Sequence, residues 1–172
     1  MAWVAPVTRS TGTLITASIW NADIVANTLA LKDPPTDSSV INEVADYTLT
    51  TTSFVDVDAT DLAVSITTTG GAVLVHFHGS VRHSANGGGI FFDLTVDAAR
   101  SAGDDGLAMA AADANGVIVT TPSFTRLIEG LAAGTHDFVL QWRTTAATAT
   151  LFAGAGTSNR DVHPQFWARE VS

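Results

Sequence analysis

The sequence predicts an all-β fold, an antiparallel sandwich of the jelly-roll kind, preceded by an extended N-terminal arm and one short α-helix. Three observations lead there. The chain has 172 residues, 46% of them apolar and 15% charged, enough for one well-filled core and too apolar for a disordered tail. From Tyr47 onward apolar residues recur with a period of two. Turn-forming residues separate at least eight such short runs, with no helical stretch between them.

Taken in order, the first element is the arm Met1–Ser10. Trp3, Val4, Pro6 and Val7 make it apolar, and alone in water it would be exposed and frayed. Burying a tryptophan contributes roughly 2–3 kcal/mol, so Trp3 is expected to be held by a neighbouring protein. A helix follows over about residues 16–32. Thr16 stands where an N-cap hydroxyl meets an orphan first-turn N–H. Trp20, Ile24, Asn27 and Leu31 then recur at i, i+4, i+7 and i+11, one stripe on a helix. Asp33, placed before Pro34–Pro35, is driven out of the helical region and ends it. Four turns are marginal in water, so the helix either self-associates or docks on the β domain. A polar Asn27 on an apolar seam favours register-specific pairing between copies. The segment DPPTDSSVINEV reads as a linker, which divides the chain into 1–44 and a jelly roll over 45–172.

In the second zone Leu62, Val64 and Ile66 alternate with small or polar residues, and Gly70–Gly71 reads as a hairpin turn. Val73, Val75, Phe77 and Val81 share a face opposite Leu74, His76, His78 and Arg82. Ile90, Phe92, Leu94 and Val96 form the next strand. Asn115–Gly116 marks a turn before Val117 and Val119. GLAAGTH leads into Phe138, Leu140 and Trp142, and ATATLFAGA and QFWAREV supply the last strands. GLAMAAADA reads as strand or loop.

Charge and composition exclude several functions. Net charge is −9, with Lys32 the only lysine beside seven arginines, which argues against nucleic acid and anionic membranes as partners. No apolar run reaches about 18 residues, and MAWVAPVTRSTG does not read as a signal peptide. Cysteine is absent, so stability comes from packing or oligomerisation. Abundant Thr, Ala and Gly suit either a surface packed on other protein or a robust β structure with small side chains.

Candidate chemistry is thin. His76 and His78 at i and i+2 share a strand face, a spacing metal ligands can use, but they are too few for a closed zinc site and read as facing solvent or a subunit interface. DVDATD fails the calcium-loop template, since its sixth and twelfth positions are Asp61 and Thr67. Asp104–Asp105–Gly106 reads as a solvated turn. No cysteine nucleophile, GxSxG elbow or phosphate-binding glycine loop is present; Gly87–Gly89 lies between strands. The expectation is therefore no catalytic residue, no metal, no cofactor and no enzyme activity.

TGTLITASIWNADIVANTLALKDPP, with its threonine–alanine–x–x–tryptophan–asparagine core, resembles a segment near the start of many bacteriophage virion proteins. The part from Ala45 to Val171 resembles the trimeric jelly rolls of the tumour-necrosis-factor and complement globular-head type, on GGAVLVHFHGSV, GLAAGTHDFVLQW and QFWAREV. Together the zones resemble phage capsid decoration (auxiliary) proteins, and also short tail-fibre or receptor-binding tips, although no collagen or coiled-coil shaft is present. A cellular carbohydrate-binding jelly roll is the alternative from another class, against which stand the loops SANGGG, DAARSAGDDG and AGAGTSNRD, with no aromatic residue to stack on a sugar. The resemblance implies a homotrimer on the outer surface of a virion, with the major capsid protein or another virion protein as partner. It implies a capsid-anchoring arm of Trp3, Val4, Pro6, Val7 and Arg9. It also implies a trimer interface that adds Phe166, on the last strand, to Trp20, Ile24, Asn27 and Leu31.

Overall fold

The computed structural model describes residues 7–111 and 119–171. The turn expected at Asn115–Gly116, with Val117, lies outside the described residues.

The helix forms where its caps require. Thr16 Oγ1 accepts from the Ile19 N–H at 3.3 Å, and Asp33 leaves the helical region at φ −135° while its N–H still closes on the Leu29 carbonyl. Between these ends run α1 (Ala17–Trp20), a π turn (Asn21–Ala26) and α2 (Asn27–Lys32).

Eight principal strands build the sandwich: β1 (Thr36–Val40), β4 (Ala63–Thr68), β5 (Gly71–His78), β7 (Gly89–Val96), β9 (Ala108–Ala111), β10 (Ser123–Leu131), β11 (Gly134–Thr144) and β13 (Gln165–Glu170). Sheet I has the order β1-β13-β5-β10. Sheet II places β4 beside β11, β11 beside β7 and β7 beside β9. Counted among the eight, first pairs with eighth, second with seventh, third with sixth and fourth with fifth, all antiparallel. This is one long hairpin rolled up across two sheets, which is a jelly roll. Short strands complete it. β3 (Val55–Asp56) and β8 (Ala99–Arg100) extend sheet II, and β2 (Tyr47–Leu49), β12 (Ala149–Leu151) and β6 (Val81–His83) form a third small sheet.

The core lies between the sheets. Val73, Val75, Phe77, Phe124 and Phe166 project from sheet I, and Val64, Ile66, Phe92, Leu94, Phe138, Leu140 and Trp142 from sheet II, all buried. Phe77 meets Phe92 at 4.9 Å and Phe124 at 5.8 Å between ring centres, tilted as aromatic pairs prefer.

Two expectations are corrected. Gly70–Gly71 does not close a hairpin, because β4 pairs with β11 and β5 with β10 and β13. The two glycines, at φ +98° and +136°, turn the chain from one sheet to the other through backbone that side chains resist. The supposed linker contains β1, paired over five residues with β13, and Ile41 after it is buried in the core. The sandwich therefore begins at Thr36. Asp37 holds the segment in place, accepting from the Ser65 N–H at 2.8 Å.

Candidate interaction face

The strand registers place three rows of side chains on the outer face of sheet I. One row is Thr36, Arg169, Leu74 and Leu127; the next is Ser38, Trp167, His76 and Thr125; the third is Val40, Gln165, His78 and Ser123. Arg169 is the only fixed charge in these rows. Val40 is 60% and Leu127 43% exposed. His76 stacks on Trp167 at 5.2 Å, lies 5.9 Å from His78, and shares a 2.8 Å hydrogen bond between Nδ1 and the Thr125 hydroxyl. Burial, and then the neighbouring His78, push the His76 imidazole below its ordinary range against an opposing backbone hydrogen bond at Phe124. Where α2 ends, Leu31 and Pro34–Pro35 form with Leu74, Trp167 and Arg169 a groove of about 370 Å³ that opens on this face.

The outer face of sheet II is closed by the chain itself. Asp93, fully buried, is paired with Arg100 at 2.7 Å. The Arg100 guanidinium lies 3.9 Å above the Phe54 ring, and that of Arg143 lies 4.0 Å above Phe91 while bonding Asp105 at 2.6 Å. Gln141 donates to Asp56 at 2.9 Å across the same surface. Gly106 lets the covering loop approach, since a Cβ there would sit 2.4 Å from the Phe92 carbonyl oxygen, and its φ is +82°.

The residues expected to make the trimer interface are not all brought together. Trp20, Ile24 and Leu31 are 53%, 48% and 71% exposed, so none is buried on its own sandwich, although Leu31 lines the groove beside sheet I. Nor do they share one seam. Eleven residues of α-helix return to within about 20° of the starting direction, but a π turn inserts a residue and swings the rest of the helix by about 100°. Asn27 is buried, with its Nδ2 donating to the Asp23 carbonyl one turn earlier. Phe166 is fully buried inside one chain, between the sheets, and is corrected from an interface residue to a core residue. Its neighbour Trp167 faces out in its place.

Of the arm, Trp3, Val4 and Pro6 lie outside the described residues. Val7 is 59% exposed, and Arg9 folds back to bond Asp23 at 3.0 Å.

The other three histidines, with Asp97 and Asp58, bond within the fold. His136 shares its Nδ1 with Asp97 at 2.7 Å and its Nε2 with the Ala132 carbonyl at 2.9 Å, leaving no ring nitrogen to take a nucleophile's proton. The Ala132 carbonyl first, and Asp97 next, hold its imidazole above the ordinary range; the bond to His136 lowers Asp97. His83 is buried between Ala85 and the Thr144 hydroxyl, and His163 bonds the Ile41 carbonyl. Asp58 accepts from the Thr60 and Asp61 N–H groups, closing its own turn. Among the described residues no three His, Asp or Glu side chains converge as metal ligands would.

No family model and no curated protein matches the chain. Solved structures of similar shape include the Eiger TNF from S. frugiperda, at 12% identity over 81% of this chain and 95% of that one, with a TM-score of 0.49. Murine APRIL at pH 5.0 is similar at 7% identity over 80% and 100%, TM-score 0.45. A chain of infectious bursal disease virus Gt strain is similar at 15% identity over 81% of this chain and 38% of that one, TM-score 0.41. The jelly roll itself rests on the chain's own pairing order, first strand with eighth through fourth with fifth.

Proposed function

We propose that this chain is a non-enzymatic structural protein of a bacteriophage virion. In this reading it is a homotrimer that decorates the outer capsid surface and attaches through its N-terminal region. The observation that carries the trimer is the contrast between the two sheet faces. Sheet II is roofed by ion pairs and guanidinium–aromatic contacts from its own loops. In the three rows of sheet I, Trp167, Leu74, Leu127 and Val40 stand outward with Arg169 as the one fixed charge among them. Apolar area rimmed by polar groups and depleted of charge is the composition of a self-association surface. A jelly roll without cysteine gains stability there by burying that face between copies. The helix, apolar on its exposed side, leaves the sandwich at the same edge through β1 and carries the arm toward the shell.

Sedimentation equilibrium of the purified full chain tests the trimer, and a folded monomer at micromolar concentration overturns it. Attachment is tested by adding the protein to particles that lack it. The full chain is expected to co-sediment, and a form lacking Met1–Ser10 is expected to stay trimeric and remain in the supernatant. Equal decoration by both forms removes the arm as the anchor.

A further inference from the structure

We propose that self-association through sheet I is released by acid, with His76 and His78 as the groups that sense it. This rests on the reading of sheet I as the face between copies. Both imidazoles stand on β5, an inner strand of that sheet, with neighbours on either side. β13 sets Gln165, Trp167 and Arg169 against them, and β10 sets Ser123, Thr125 and Leu127. The edge strand β1 adds Thr36, Ser38 and Val40 to the face. Glu129 lies further along β10, and the helix end that reaches Leu74 and Trp167 carries Lys32 and Asp33, none of which bonds either histidine. Among the described residues, then, no carboxylate pairs with His76 or His78, and the fixed charge nearest in the rows, Arg169, has the same sign a protonated imidazole would have.

The direction comes from linkage. His76 already sits below its ordinary value of 6.5 through burial and His78. Covering the face removes more water from both rings and brings further copies of them near one another. The closed form therefore holds His76 neutral over a range in which the open chain protonates it. Stability of the assembly is full above the open-chain value of His76, itself under 6.5, and falls as pH drops through it. Protonation also breaks whichever hydrogen bond at His76 Nδ1 has the ring as acceptor from Thr125.

Sedimentation velocity at pH 7.5 and pH 5.0, at one ionic strength and with circular dichroism alongside, decides the matter. The expected result is a trimer at pH 7.5, a smaller species with the same spectrum at pH 5.0, and a His76→Gln/His78→Gln chain that stays trimeric at both. A wild-type trimer at pH 5.0, or one that dissociates only with loss of the native spectrum, overturns acid release and leaves the trimer standing. A monomer at pH 7.5 overturns both readings. Equal dissociation of wild type and double variant overturns the role of the histidines. His78→Gln alone spares the ring stacked on Trp167, and is expected to lower the dissociation midpoint by about half a pH unit or more. An unmoved midpoint overturns the proposal as well.

Discussion

The two outer faces of the sandwich are made of similar strands and finished in opposite ways. On sheet II, β7 carries Asp93 outward, and Arg100 from the next hairpin covers it, stacked over the Phe54 ring with Arg143 and Asp105 alongside. On sheet I, the outward positions of β5 and β13 carry His76, Trp167 and Leu74, and the helix end comes near them at Leu74 and Trp167. A β face can be closed by its own chain when loops bring charges and rings over it, and it stays available when they do not. The difference lies in the loops, which roof one outer face and leave the other.

Breaking the closed face should cost the most. Arg100→Ala leaves Asp93 buried without its cation, and is expected to destabilise the fold by about 3 kcal/mol, read as a shift in the urea midpoint at constant slope. On the open face the same chemistry should spare folding and strike assembly. Trp167→Ala is expected to weaken association at least tenfold, about 1.4 kcal/mol, in a sedimentation dilution series. A loss of folding comparable to that of Arg100→Ala would erase the contrast between the faces. Phe54→Ala removes the ring beneath Arg100 while keeping the ion pair, and should cost about 1 kcal/mol.

The smallest effect concerns the other histidine. Asp97 and the Ala132 carbonyl raise His136, so its contribution is complete below the ordinary imidazole range and fades as pH rises through its elevated value. Asp97→Asn should thus be less stable than wild type by under about 1 kcal/mol at pH 5.5, and the gap should narrow by pH 8. His136 and His76 consequently respond to acid with opposite signs within one molecule.

Much of the fold is readable from periodicity. Leu62, Val64 and Ile66, then Val73, Val75 and Phe77, then Phe138, Leu140 and Trp142 are expected inside and are inside, because each run alternates with at least one polar neighbour that fixes the face. The helix is legible at both ends for the capping and proline reasons given. QFWAREV is not, because Phe166 and Trp167 are adjacent apolar residues and a period of two cannot say which one points inward. β1 escapes the pattern since TDSSV is polar and sits at an edge, held by one neighbouring strand and by Asp37. The π turn leaves no pattern in the residues themselves. The roof over sheet II brings Phe54 and Arg143 to the Asp93–Arg100 hairpin from segments that only the rolled topology places there.

The rolled pairing also sets the order of events when the chain is made. Thr36 pairs with Arg169, and β13 inserts between β1 and β5, in the middle of sheet I. Until Glu170 has left the ribosome, β5 lacks one neighbour, β1 lacks its only one, and the core lacks Phe166. The half-made chain has apolar strands with open edges and nothing to cover them, the condition in which aggregation competes with folding. Contacts this distant in sequence close slowly, on a scale of milliseconds to seconds for all-β sandwiches. The chain therefore gains its finished surface, and anything assembled on it, only once β13 has been made and inserted.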